Sequence, residues 1–198
     1  MNVEGRILLV EDRPDWRRRL MKYLEEEGYF VETAKTYTEA LDVLDREPFE
    51  VVLVDLRLVD WDATNVQGMQ ILRYIDELRK ESGKESGTQA IVVTAYPTPE
   101  TTREAFRDHG VSDFLFKADL DLQRFTTAVR DAAVRAQKIM EKIIASDELA
   151  SLNRRTYTHK RSLNVLEEQI ALYSINPPLP LVHQIEHERN QIARIEAR

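Results

Sequence analysis

Five polar residues stand immediately after short apolar runs, and their chemistry belongs together. Glu11 and Asp12 follow Arg6-Ile7-Leu8-Leu9-Val10, and Asp55 follows Val51-Val52-Leu53-Val54. Thr94 follows Ala90-Ile91-Val92-Val93, and Lys117 follows Asp113-Phe114-Leu115-Phe116. If each run is a strand of an open parallel sheet, these residues gather at the carboxyl edge, where such sheets bind ligands. Three carboxylates, one hydroxyl and one amine then meet there. Mg²⁺ prefers hard oxygen ligands and is commonly held by one or two carboxylates together with a phosphate. A carboxylate is also a competent nucleophile toward phosphorus. Asp55 ends the most apolar run and is the candidate nucleophile. Asp12 and Asp55 are candidate metal ligands, with Glu11 reaching the ion directly or through water. Lys117 and Thr94 are suited to the oxygens of a phosphoryl group.

The elements needed to position these residues are legible as alternating patterns. Strand-like runs cover 6–10, 29–34, 51–55, 90–94 and 113–116, and amphipathic stretches cover 14–27, 38–47, 69–81, 100–109 and 120–145. Strand and helix alternating five times predict a parallel sheet covered on both faces. Pro14 suits a first helical turn and Gly28 a helix end. Leu122, Phe125, Val129, Ala132, Ala136, Ile139 and Ile143 form a stripe longer than one sheet can cover. Beyond it, Leu163, Leu166, Ile170 and Tyr173 make a second stripe, and Leu181, Ile185, Ile192 and Ile195 a third. Asn176-Pro177-Pro178-Leu179-Pro180 separates the last two, since proline disfavours helix at its own position and the one before. The expected organisation is a domain over residues 1–135, followed at 136–198 by an extended helix and a helical hairpin (Thr158–Arg198) suited to oligomerisation.

Composition narrows the possibilities. The chain has 198 residues and no cysteine, which excludes disulfides, thiolate metal sites and a cysteine nucleophile and fits a reducing, cytoplasmic setting. The apolar runs are strand-sized, far short of the roughly 18 residues a membrane helix needs, and no signal-peptide pattern opens the sequence. From Ser146 onward seven basic residues balance seven acids, so the net charge of −7 lies entirely in residues 1–145. An acidic body with a neutral tail offers little general attraction for nucleic acid. His109, His159, His183 and His187 show no catalytic arrangement, although His183 and His187 are spaced to share a helix face.

Residues 5 to about 135 resemble the receiver domain of two-component response regulators. The resemblance rests on Leu8-Leu9-Val10-Glu11-Asp12, Val52-Leu53-Val54-Asp55-Leu56, Val92-Val93-Thr94-Ala95, Phe114-Leu115-Phe116-Lys117 and the Gly68-Met69 helix start. It implies a five-stranded parallel, doubly wound (flavodoxin-like) α/β sheet, here carrying a C-terminal α-helical extension. By that resemblance Asp55 is the phosphoacceptor for a histidine kinase or phosphotransfer protein. Glu11, Asp12, Asp55 and the backbone carbonyl of Arg57 hold Mg²⁺, Thr94 and Lys117 respond to the phosphoryl group, and Phe114 is the switch aromatic. The output expected of the tail is a homodimer or a helical protein partner, in coiled-coil fashion. A DNA-binding regulator and a phosphorylation-independent scaffold are the alternatives.

Three departures from the family pattern carry expectations. Ala118 follows Lys117 where the family commonly has a cis proline. A cis bond there would cost about 2.5–4 kcal/mol, so the loop is expected to be trans or strained. The segment from Val59 to Val66 lengthens the loop after Asp55, and its Trp61 is read as an anchor. Phe114 lacks the hydroxyl of the tyrosine common at that position. Dehalogenase-type phosphatases share a strand-end aspartate, threonine and lysine, but they need a second aspartate two places after the nucleophile. Arg57 stands there.

Overall fold

The computed structural model describes residues 5–58, 67–81, 87–173 and 177–197. The loop of Val59–Val66, with Trp61, lies outside the described residues. Two compact units divide the chain, Met1–Glu141 and Lys142–Arg198.

In the first unit five strands, β1 (Arg6–Val10), β2 (Phe30–Ala34), β3 (Val51–Val54), β4 (Gln89–Thr94) and β5 (Asp113–Phe116), form a sheet in the order β2-β1-β3-β4-β5. All four pairings are parallel. The helices are α1 (Pro14–Glu26), α2 (Tyr37–Arg46), α3 (Gln67–Glu81), α4 (Pro99–His109) and the start of α5 (Leu122–Ala171). Successive strand residues face opposite sides, so each central strand feeds two cores. Ile7, Leu9, Val51, Leu53, Ile91 and Val93 pack with Leu20 and Leu24 of α1 and with Phe125, Val129 and Ala132 of α5. Leu8, Val10, Val52, Val54 and Val92 pack on the other side with Ala40 and Val43 of α2, Ile71, Leu72 and Ile75 of α3, and Ala105 of α4. Burial on both faces is why β3 carries no polar alternation.

Local signals fix the helix starts near the site. The Thr98 side chain accepts the Thr101 N–H at 3.1 Å and Pro99 opens α4, which ends the loop after Thr94. Asp121 accepts the Arg124 N–H at 2.9 Å, so α5 begins at Leu122 rather than at the expected Leu120. A 3₁₀ turn, Lys117–Asp119, precedes it. No cis peptide occurs among the described residues, so the bond between Lys117 and Ala118 is trans.

α5 does not stop near Ala145. It continues to Ala171, through a segment between Ile143 and Leu163 where Leu152 is the one half-buried apolar residue. The sequence contains neither glycine nor proline between Gly110 and Pro177, so nothing interrupts a helix once it has started. In the second unit, the α5 residues from Lys142 onward are followed by α6 (Leu179–Glu196), with Pro180 in its first turn. On α5 the sheltered positions include Leu152, Thr156, His159, Leu163, Leu166 and Ile170; on α6 they include Leu181, Ile185, Glu188, Ile192 and Ile195. Both sets advance by alternating steps of four and three, the spacing of a coiled-coil seam. His159 Nδ1 donates to Glu188 Oε2 at 2.6 Å, a polar layer among apolar ones. Arg189 with Glu167 (2.8 Å) and Lys160 with Glu196 (2.9 Å) flank it. His159 is therefore a seam residue and not an incidental one.

Candidate functional site

Strand register assembles the site. Val10 pairs with Val54, so Glu11 and Asp55 leave adjacent strands at one level, and the Asp55 N–H donates to the Val10 carbonyl at 3.0 Å. Thr94 pairs with Phe116, which places Lys117 one step beyond it. Glu11, Asp55, Thr94 and Lys117 are the polar residues buried here, while Asp12 is half-buried.

The Lys117 side chain is 2 % exposed and bridges two acids, with Nζ 2.5 Å from Glu11 Oε2 and 2.6 Å from Asp55 Oδ2. Asp55 Oδ1 accepts the Arg57 N–H at 3.2 Å, so both oxygens of the Asp55 carboxylate are oriented. One carboxylate oxygen from each of Glu11, Asp12 and Asp55 lies within 4.8 Å of the others. Thr94 sits fully buried at the end of β4, and its Oγ1 accepts the Tyr96 N–H at 3.4 Å. The Arg57 guanidinium stacks over the half-exposed Tyr96 ring, 4.1 Å from its centroid. Phe114 faces the α3–α4 core, buried, against Phe106 of α4 (centroids 6.4 Å apart) and edge-on to Phe116 (5.7 Å). Glu11, Asp12, Asp55 and Lys117 are thus brought into one cluster, with Thr94 beside it on the same edge.

Gly68 explains how Asp55 is held. A Cβ at this position would lie 2.3 Å from the Asp55 carbonyl oxygen and 2.4 Å from Leu56 Cα. The Gly68 N–H donates to the Leu56 carbonyl at 3.2 Å. Only glycine lets the start of α3 approach the backbone of Asp55 and Leu56 this closely. Gly68→Ala is expected to displace Asp55 and to destabilise the first unit by about 1–3 kcal/mol, the usual cost of overpacking. Thermal unfolding would measure the loss.

The charges favour a divalent cation. With all three carboxylates ionised, one ammonium leaves the cluster at −2. Burial pushes the Glu11 carboxyl up to about 7, against the attraction of Lys117 and reinforced by the neighbouring Asp55 charge. Burial and the neighbouring Asp55 charge thus disfavour the ionised form of Glu11, and a hard divalent ion would offset the excess of acid with the oxygen donors it prefers. The linkage has a definite sign. Folded Glu11 keeps its proton up to about pH 7, whereas the unfolded residue loses it near 4.5. The metal-free protein is therefore expected to lose stability as pH rises through that window, by about 3 kcal/mol in all. Urea unfolding in chelator at about pH 5 and about pH 8 would measure it, and Mg²⁺ should flatten the difference because metal binding displaces the proton.

Comparison with known proteins agrees with this geometry. The family model for the response regulator receiver domain matches residues 7–130. The response regulator protein PilR of Pseudomonas aeruginosa is 32% identical over 125 residues, covering 63% of this chain and 25% of PilR. An uncharacterised 14.6 kDa protein of Leptolyngbya boryana is 34% identical over 111 residues, covering 56% of this chain and 77% of that protein. The chain thus spans about a quarter of the length of PilR and most of the smaller relative. Among solved structures, a CheY-like receiver domain protein from Methanospirillum hungatei has a TM-score of 0.59 at 26% identity, covering 69% of this chain and 98% of that one. TrrA of Thermotoga maritima, solved in complex with Mg²⁺–BeF, shares the fold, with a TM-score of 0.51 at 24% identity and coverage of 64% and 97%. Over residues 7–130 the chain belongs to the response regulator receiver domain family, whose members are signalling modules and not enzymes.

Proposed function

We propose that this protein is a two-component response regulator in which Asp55 accepts a phosphoryl group from a histidine kinase or phosphotransfer protein and switches a helical output. The observation that supports this most is the buried Lys117 ammonium bridging Glu11 and Asp55, with a third carboxylate within 4.8 Å. Such a cluster is costly to bury and is suited to exchanging one partner for another.

In the transfer, an Asp55 carboxylate oxygen attacks phosphorus, the phosphorus–nitrogen bond of the donor phosphohistidine breaks, and the departing imidazole nitrogen takes a proton. Glu11, Asp12, Asp55 and the Arg57 backbone carbonyl are the proposed ligands of Mg²⁺, which when bound neutralises charge on the phosphoryl oxygens. Lys117 leaves Asp55 Oδ2 for a phosphoryl oxygen. The Thr94 hydroxyl turns from the Tyr96 N–H toward another. The new charge of about −1.5 to −2 beside Thr94 draws the β4–α4 loop inward. Phe114 then repacks against Phe106, changing the surface of α4, β5 and α5. Without a phenolic hydroxyl Phe114 makes no hydrogen bond in either position, so packing alone sets its balance.

The neutral tail and the helical seam of α5 and α6 support a protein-interaction or dimeric output over a DNA-binding one. The test is light scattering with and without Mg²⁺ and phosphoramidate, on the wild type and on Asp55→Ala. A donor-dependent change of mass or shape confined to the wild type is expected. Identical behaviour of the two proteins would refute the switch.

A further inference from the structure

Lys117 carries three N–H donors. Two directions are taken by Glu11 Oε2 and Asp55 Oδ2, at 2.5 and 2.6 Å. The ammonium also lies 5.4 Å from the centroid of the Trp16 ring. Trp16 is the third residue of α1, and that turn is tied to the site from several directions. The Arg17 guanidinium donates to the carbonyls of Glu11 (2.8 Å) and Asp12 (3.0 Å), and the Arg13 N–H donates to Glu11 Oε1 at 3.3 Å. The ring itself packs against the core under α1, and the Arg19 guanidinium lies 5.2 Å from it.

We infer that Trp16 is a positioning residue for Lys117, its ring face holding the ammonium at the carboxylate cluster. An aromatic face suits this place for three reasons. It attracts the cation, as a ring quadrupole does. It adds no charge to a cluster that already carries an excess of acids. And, being neutral, it does not compete with an incoming phosphoryl group for the ammonium as a further carboxylate would. The Lys117 stem thus keeps a fixed flank while its head exchanges Asp55 for a phosphoryl oxygen. The turn that carries Lys117 is a short 3₁₀ segment with a trans bond to Ala118, so the aim of the side chain is fixed by what surrounds its head.

The role in transfer rests on the proposed phosphorylation of Asp55, but the contact itself does not, and two measurements separate them. The sequence holds two tryptophans, so in Trp61→Phe protein the emission comes from Trp16 alone. Without any phosphodonor, Lys117→Met in that background is expected to shift the Trp16 emission maximum; an unshifted spectrum overturns the contact. The second measurement is the rate of phosphoryl incorporation from phosphoramidate with Mg²⁺, followed by intact mass. Trp16→Leu is expected to slow it roughly three- to tenfold, in line with the loss of one partly desolvated cation–π contact, and Trp16→Phe to stay within about twofold of the wild type. Equal rates in all three proteins overturn the positioning role, as does equal slowing in the Leu and Phe variants with an unchanged emission spectrum. A wild type that takes up no phosphoryl group, with the emission shift present, overturns the proposed function and the positioning role while leaving the contact standing.

Discussion

Replacing Lys117 by methionine is expected to have opposite effects on folding and on metal binding. The substitution removes the only cation within reach of Glu11 Oε2 and Asp55 Oδ2 among the described residues and leaves two buried carboxylates facing each other. Breaking a buried ion pair from one side costs about 3–5 kcal/mol. Part of that is recovered when Glu11, already held to about 7 by burial, takes up a proton, so the loss is expected to be smaller near pH 5 than near pH 8. Divalent cations should bind more tightly to Lys117→Met than to the wild type, because no ammonium competes for the same oxygens. Phosphorylation should nonetheless be slower, since the phosphoryl group loses its partner. Urea unfolding and calorimetric Mg²⁺ titration on one preparation would read both directions. A variant as stable as the wild type at pH 8, or one that binds Mg²⁺ more weakly, would show that Lys117 is not the counter-ion of the cluster.

Asp55→Asn separates the nucleophile from the scaffold. Asparagine keeps an oxygen to accept the Arg57 N–H and nearly the same volume, but it has no carboxylate to attack phosphorus. Complete loss of phosphoryl incorporation is expected, together with weaker Mg²⁺ binding, because one of three converging carboxylates is gone. Stability should change far less than in Lys117→Met, since Lys117 keeps Glu11 and the repulsion between two acids disappears. Intact mass after treatment with phosphoramidate would check the first expectation. Undiminished incorporation would place the acceptor elsewhere.

The residues of the site were legible because each ends a strand. An apolar run followed by a polar residue marks a carboxyl edge whatever the details of packing, so Glu11, Asp55, Thr94 and Lys117 could be placed without coordinates. What could not be read was their mutual state. That Lys117 bridges Glu11 and Asp55 depends on the register of Val10 with Val54 and of Thr94 with Phe116, which are long-range pairings. Gly68 was visible as a helix start, but the reason for glycine lies in the approach of its backbone to Asp55 and Leu56. Trp16 gave no signal at all, because a tryptophan on an amphipathic helix is ordinarily a packing residue.

The tail shows a different limit. Periodicity located the stripes at Leu163–Tyr173 and Leu181–Ile195 but not the continuous helix joining the first of them to Phe125. Between Ile143 and Leu163 the half-buried positions are Leu152, Thr156, His159 and Ser162, three of them polar, so no apolar stripe stands out there. The usable signal was negative, the absence of glycine and proline from Val111 to Asn176. His159 looked isolated because its partner, Glu188, stands 29 residues away across the chain reversal. Its place between Thr156 and Leu163 in a four-three spacing was nevertheless written in the sequence.

The central claim is that Asp55 is the phosphoacceptor, and an aspartyl phosphate can be located directly. Borohydride reduces the acyl phosphate to the alcohol, converting the modified aspartate to homoserine, which peptide mass mapping then assigns. After phosphoramidate and Mg²⁺, homoserine is predicted at position 55 alone, and none when a chelator replaces the metal. Homoserine at another aspartate, or none at all in the presence of Mg²⁺, would contradict the account.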